Sequence, residues 1–164
     1  MTQISYDDVV TLPASLDQSV PVAFEDINGH LNIRHYVGIA SEGLDDSLTE
    51  LGIPQMWPIS AGQGVFSAEH HMVYFAELRT GDKITVRTRM LGRSERAAHV
   101  LVFLVDETHR RVSYVMEEIF LHVDMETRTT SPWPTDVAEA MDKRIVEHAG
   151  LGWDAPVSGS MSLR

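Results

Sequence analysis

Asp26-Ile27-Asn28-Gly29-His30-Leu31-Asn32 sets a carboxylate, an imidazole and two amides around a glycine. On its N-terminal side Val20-Pro21-Val22-Ala23-Phe24 is short and apolar and predicts a strand. On its C-terminal side Ile33, Tyr36, Val37, Ala40, Leu44, Leu48 and Leu51 recur at spacings of three and four, which predicts a helix burying one stripe. Asn32 is a good N-cap for that helix, and Gly52 followed by Pro54 ends it. The polar stretch therefore sits at the mouth of a long helix. Unpaired N–H groups and the positive end of the helix dipole meet there, a setting suited to an acyl oxygen that gains negative charge. A cap explains Asn32 but leaves Asp26 and His30 without a purpose.

Working outward, Gly38 and Gly43 each cost the helix about 1 kcal/mol relative to Ala, which predicts a sheet curling closely around it. Met56 to Gly64 reads as a loop able to shape a pocket. Four strands are predicted after it: Val65–Phe75, Lys83–Leu91, Ala98–Val105 and Val112–Val123. The third is apolar on both faces, as a central or dimer-facing strand is. One helix followed by antiparallel strands is an α+β pattern. Thr135 to Ala149 predicts a second helix that stops at Gly150. The division expected is a lead-in over 1–17, a main domain over 18–130, and a C-terminal helix with a flexible tail over 131–164, which Trp153 could dock.

Thirteen basic residues against twenty-four acidic ones give a net charge of −11, which argues against nucleic acid as a partner. An anionic substrate then needs a local exception. Arg79, Arg87, Arg89, Arg93 and Arg96 cluster around one strand and its turn, with Arg110, Arg111 and Arg128 farther on. Without cysteine there is neither a disulfide framework nor thiolate chemistry. No segment reads as a signal peptide or a membrane span, so no membrane partner and a cytoplasmic location are expected.

The Asp-x-x-Gly-His-x-Asn motif of Asp26 to Asn32 resembles the signature of hotdog-fold acyl-CoA thioesterases of the 4-hydroxybenzoyl-CoA thioesterase type. Glu69-His70-His71-Met72-Val73-Tyr74-Phe75, followed by Glu77-Leu78-Arg79-Thr80-Gly81-Asp82, is similar to the family's second strand and the Gly-Asp turn before its third. The resemblance spans about residues 18 to 125. It implies a hotdog fold, an antiparallel sheet wrapped around a long central helix. It also implies hydrolysis of a coenzyme A thioester, a homodimer or dimer of dimers, and no cofactor. Asp26 matches the family's catalytic carboxylate. Three further stretches, Asn28-Gly29-His30, Glu69-His70-His71 and Glu118 to Asp124, resemble thioesterase domains associated with carnitine catabolism, which implies betainyl-CoA as the substrate.

Asp26, ionised at neutral pH, can act as nucleophile or as base toward water. Asn28, Gly29 and the helix N-terminus are expected to supply or orient oxyanion donors, with His30 either structural or an acid–base group. Substrate contacts are expected from Asn32, Glu69, His71, Tyr74 and Trp57. His71 shares a strand face with Glu69 at period two, while His70 points the other way. No firm three-ligand spacing suggests a metal. A hotdog hydratase would need an Asp–His pair in a longer helix–loop motif. A non-catalytic acyl-CoA-binding protein is the other alternative.

Overall fold

A computed structural model describes residues 4–163. In chain order the elements are α1 (Tyr6–Val9), β1 (Ala14–Ser19), a 3-10 turn (Val22–Phe24), α2 (Ile33–Thr49), α3 (Trp57–Ser60), β2 (Gln63–Tyr74), β3 (Lys83–Arg93), β4 (Ala97–Asp106), β5 (Arg111–Asp124), β6 (Thr129–Thr130) and α4 (Thr135–Ala149). The strands form one antiparallel sheet in the order β1-β3-β4-β5-β2, with β6 added to β5. The sheet curls around α2, which is the hotdog arrangement.

Asn32 begins α2 as expected, its side chain accepting the N–H of Arg34 at 3.1 Å. Tyr36, Ile39, Ala40, Leu44 and Leu48 then turn one stripe onto the sheet. Val100, Val102 and Leu104 of β4 and Tyr114, Met116 and Phe120 of β5 meet that stripe and are fully buried. Each such side chain contributes about 1.5 to 3 kcal/mol. Gly43 is required by the closeness of this contact, because a Cβ there would overlap Cβ and Cγ1 of Val86 on β3. Gly38 is different: a Cβ there would meet nothing within 4 Å, so the sheet does not explain it.

The other face of β4, Leu101, Phe103 and Val105, is also buried. Its cover comes from Val9 and Leu12 at the start of the chain and from Leu151, Trp153 and Ala155 at its end. The double apolarity of Ala98–Val105 thus belongs to a central strand. The tail read as flexible is strapped to this outer face. The Arg89 guanidinium lies 4.1 Å from the Trp153 ring centroid and donates to the carbonyls of Trp153 and His148. The Ser158 N–H donates to the buried Glu117 carboxylate at 2.7 Å, and Met161 covers Ala97 and Ile119.

The first strand lies earlier than expected. Val22–Phe24 is a 3-10 turn, and β1 occupies Ala14–Ser19, most of it in the stretch read as a lead-in. Pro21 cannot donate to a ladder and sets the φ of a turn, so the apolar run beside it bends instead of pairing. The loop of Met56–Gly64 contains the single turn of α3. Among the described residues no helix is long and apolar enough to cross a membrane.

Candidate active site

The stretch from Glu25 to Leu31 closes on itself through a bridge between those two residues. Asp26 N–H donates to the His30 carbonyl, and Gly29 N–H donates to the Asp26 carbonyl, both at 3.0 Å. Gly29 has φ +78, a conformation that favours glycine, and a Cβ there would meet nothing. The constraint is on the backbone, not on space. The loop is pinned to the turn before β3, since Leu31 N–H donates to the Leu78 carbonyl and Thr80 Oγ1 donates to Glu25. Leu78 N–H in turn donates to the Tyr36 hydroxyl on α2.

Within this frame the Asp26 carboxylate is gripped by Asn28. The Asn28 N–H donates to Oδ1 at 2.8 Å and its side-chain amide to Oδ2 at 3.3 Å. Burial alone pushes the Asp26 carboxyl upward, but the Asn28 donors and the nearby His30 outweigh it, and the net shift is downward. Asn28 therefore acts on the carboxylate directly, beyond shaping the loop. His30 Nδ1 is 3.7 Å from Asp26 Oδ1, too long for a hydrogen bond, and 3.3 Å from the Leu31 carbonyl. Asn32 spends its side chain on Arg34 and its carbonyl on the His35 N–H.

Asp26, Asn28 and His30 face a cavity of about 550 Å³. Tyr36, Tyr74, Phe75 and Glu77 line it as well. The rings of Tyr36 and Tyr74 meet edge to face at 5.1 Å, and Tyr114 backs both at 5.4 and 5.0 Å. Among the described residues no lysine or arginine lines the cavity, and Arg79 donates from Nε and Nη2 to one carboxylate oxygen of Glu77. Tyr74 is thus brought to Asp26 as expected. Tyr36, Phe75 and Glu77 are site residues that the sequence reading did not single out. Tyr36 was hidden in the apolar helix stripe, where an aromatic reads as core.

Glu69, His71 and Trp57 are not brought to this cavity. Period two fails in β2 because Ala68 is an extra residue: Ser67 pairs with Phe120 and Glu69 with Ile119. Ser67, His70, Met72 and Tyr74 consequently share the face toward α2, and Glu69 and His71 turn to the outer face. His71 shares the Glu69 face and His70 points the other way, as expected, but the face toward α2 is that of His70. It lies 3.2 Å from Oε1 of the buried Glu118, which also accepts from Ser67 Oγ at 2.6 Å. Trp57 follows the far end of α2, about 25 Å from its start at 1.5 Å per residue. It packs in the core against His122, beside a separate cavity of about 350 Å³.

Among the described residues Asp82, Asp106 and His109 each bring a ligand atom within 4.8 Å of the others. Their atoms are already engaged: Arg79 N–H donates to Asp82, and Arg111 and His109 both reach Asp106 Oδ2. The group closes the turns flanking β3 and β4.

Residues 20–141 match the family model described as the Thioesterase-like superfamily. An L-carnitine dehydrogenase/betainyl-CoA thioesterase of Agrobacterium fabrum is 27% identical over 139 residues, covering 85% of this chain but 28% of that protein. The chain thus spans little more than a quarter of that relative's length. A betainyl-CoA thioesterase of Pseudomonas aeruginosa is 24% identical over 126 residues, 77% of this chain and 79% of that one. Among solved structures, the protein SAV2348 of Staphylococcus aureus, in complex with CoA, superposes with a TM-score of 0.81 at 18% identity, covering 93% of this chain and 97% of its own.

Proposed function

This chain belongs to the Thioesterase-like superfamily, and on that premise we propose that it hydrolyses a small acyl-CoA thioester with Asp26 as the attacking or water-activating carboxylate. The observation that carries the reading is the ionised Asp26, held through both oxygens by Asn28 on the wall of a cavity at the start of α2. The cap claims the N–H groups of Arg34 and His35. That leaves the N–H of Ile33, beside the cavity, as the donor for the oxyanion. Gly29 gives the turn its left-handed backbone, and His30 braces it through the loop carbonyls. Asp26→Asn keeps the shape of the side chain and removes its charge. Hydrolysis should fall by a factor on the order of 10² or more with the melting curve unchanged. Near-wild-type turnover would remove Asp26 from the mechanism.

The substrate reading is betainyl-CoA, supported by the activities named for the relatives and by the cavity itself. The quaternary ammonium of a betainyl group lies one methylene from the reacting carbonyl, so it must sit in the cavity that holds Asp26. That cavity offers the Tyr36, Tyr74 and Phe75 rings and the Asp26 and Glu77 carboxylates, and among the described residues no lysine or arginine lines it. Aromatic faces stabilise such a cation by about 0.5 to 2 kcal/mol per contact. The neutral ester of the same shape is 3,3-dimethylbutanoyl-CoA. Betainyl-CoA should be hydrolysed with a kcat/KM at least tenfold higher than this analogue, and a preference for the neutral ester would sink the cation reading while leaving Asp26 in place.

The assembly we propose is a homodimer joined along β2. This strand is paired on one side only and exposes Phe66, Met72 and Tyr74, and a long unpaired edge invites a second copy. Glu69 and His71 have a route to an active site only across such a joint, toward the Asp26 cavity of the partner.

A further inference from the structure

A second cavity, of about 590 Å³, opens beside the first between α1 and the turn that joins β4 to β5. Ile4, Ser5, Tyr6, Phe75, Arg110, Arg111 and Val112 line it. Phe75 also lines the Asp26 cavity, so one ring separates the two spaces. Arg111 ties them further, donating from Nη2 to the carbonyl of Glu77, itself a wall of the Asp26 cavity, at 2.9 Å.

The contrast in charge decides what this second space can hold. The chain carries a net charge of −11, and the Asp26 cavity is lined by carboxylates, whereas among the described residues this one is lined by two arginines and no carboxylate, Asp7 and Asp106 pairing with those arginines from outside the lining. Other arginines are committed to the fold. Arg87 is used by the carbonyls of Val10 and Leu12 and by Glu107, Arg89 by the tail, Arg93 by Asp142 and Arg144 by Glu50. Arg110 stays 66% exposed at its side chain, and among the described residues its ion-pair partner is the exposed Asp7 at 3.1 Å. Its guanidinium stacks 4.5 Å from the Tyr6 ring centroid, and its backbone is held at φ +52. Arg111 spends Nε on the buried Asp106, which fixes its fork in place. A stacked fork and a pinned fork side by side present several N–H donors with little side-chain freedom left to lose, the arrangement that suits phosphate oxygens. Phe75 adds a flat apolar face on which a base can stack.

We propose that this cavity binds the phosphates of an adenine nucleotide through Arg110 and Arg111. Resting on the thioesterase reading for the ligand's identity, the nucleotide is the 3′-phospho-ADP end of coenzyme A, whose pantetheine arm crosses Phe75 to bring the thioester to Asp26.

The test uses the intact protein and two independent readouts. Arg110→Asn removes the charge and keeps a residue that tolerates the left-handed backbone. In calorimetry, adenosine 3′,5′-bisphosphate should bind the wild type with an affinity that falls as salt rises, and Arg110→Asn should weaken it about fivefold or more. In kinetics, the variant should raise KM for betainyl-CoA by the same factor with kcat nearly unchanged, and should leave kcat/KM for betainyl-pantetheine, which lacks the nucleotide, where it was. Arg128→Asn changes the net charge equally at a distant site beside Phe66 and should do neither. The proposal is overturned if the bisphosphate does not bind, if Arg110→Asn leaves binding unchanged, or if both esters suffer alike. Binding that depends on Arg110 in a protein that hydrolyses neither ester would uphold the phosphate site and sink the thioesterase reading instead.

Discussion

Asp26 needs no coaxing to ionise. Burial pushes its carboxyl up, the Asn28 N–H and amide and the His30 ring pull it down further, and the net position is below the ordinary aspartate value of about 3.9. In the proposed reaction the ionised form is the active one, so activity is present above that depressed pKa and is lost as pH falls through it. The acid limb of kcat/KM should accordingly lie below about pH 4, and the rate at pH 5 should be within about twofold of that at pH 7. A limb centred near pH 6 to 7 would assign control to a histidine instead. At this scale the sequence was legible where chemistry and backbone coincide. Asp26, Asn28, Gly29 and His30 stand together in the chain and in space, because a turn of five residues leaves them no alternative. Tyr36 and Glu77 were not legible, since nothing in a helix stripe or a surface turn announces which cavity a side chain will border.

Among elements, the fit of α2 in the sheet rests on one missing methyl. Gly43→Ala gains about 1 kcal/mol in helix propensity but forces a Cβ into Val86, and overpacking of this kind costs about 1 to 3 kcal/mol. A net loss of stability of about 1 kcal/mol or more is expected in urea denaturation, whereas Gly38→Ala, facing open space, should be neutral or stabilising. Should both variants behave alike, the Val86 contact is not what selects glycine. The bounds of α2, β3, β4, β5 and α4 followed from periodicity within one or two residues, because long amphipathic or alternating runs repeat their signal. β1 was missed for the opposite reason. Ala14-Ser15-Leu16-Asp17-Gln18-Ser19 is a polar edge strand with little burial, held by pairing with β3 and not by its own side chains.

At the level of the whole molecule, each side of the sheet has a different occupant. α2 fills the inner face, and α1 with the C-terminal strap closes the outer face over Leu101, Phe103 and Ile119. With Leu101, Phe103 and Ile119 covered in this way, association is expected through the β2 edge and to stop at two chains. Sedimentation at micromolar concentration should show one species of twice the chain mass, unchanged by dilution through the range used for assay. A monomer that hydrolyses at the full rate would overturn the shared edge, and with it any part for Glu69 and His71 in the reaction. Of the strap the sequence offered Trp153 as a dock and nothing more, because its Gly- and Ser-rich spelling carries no periodicity, and its other anchors, Ser158 and Met161, are single residues spaced along it.

The bulge at Ala68 matters for any comparison of this chain with its relatives. Between Ser67 and Glu69 the strand gains one residue, and everything beyond it changes face with respect to what came before. A relative lacking that residue would show the same letters at its counterparts of Glu69 to Tyr74 while pointing them the opposite way. At 24% identity a gap of one position is easily placed a few residues to either side at no cost to the alignment. Aligned columns in this strand therefore transmit an amino acid without transmitting its direction. A substrate preference transferred by matching Glu69 or His71 between two such proteins holds only if both strands carry the same count of residues through the bulge.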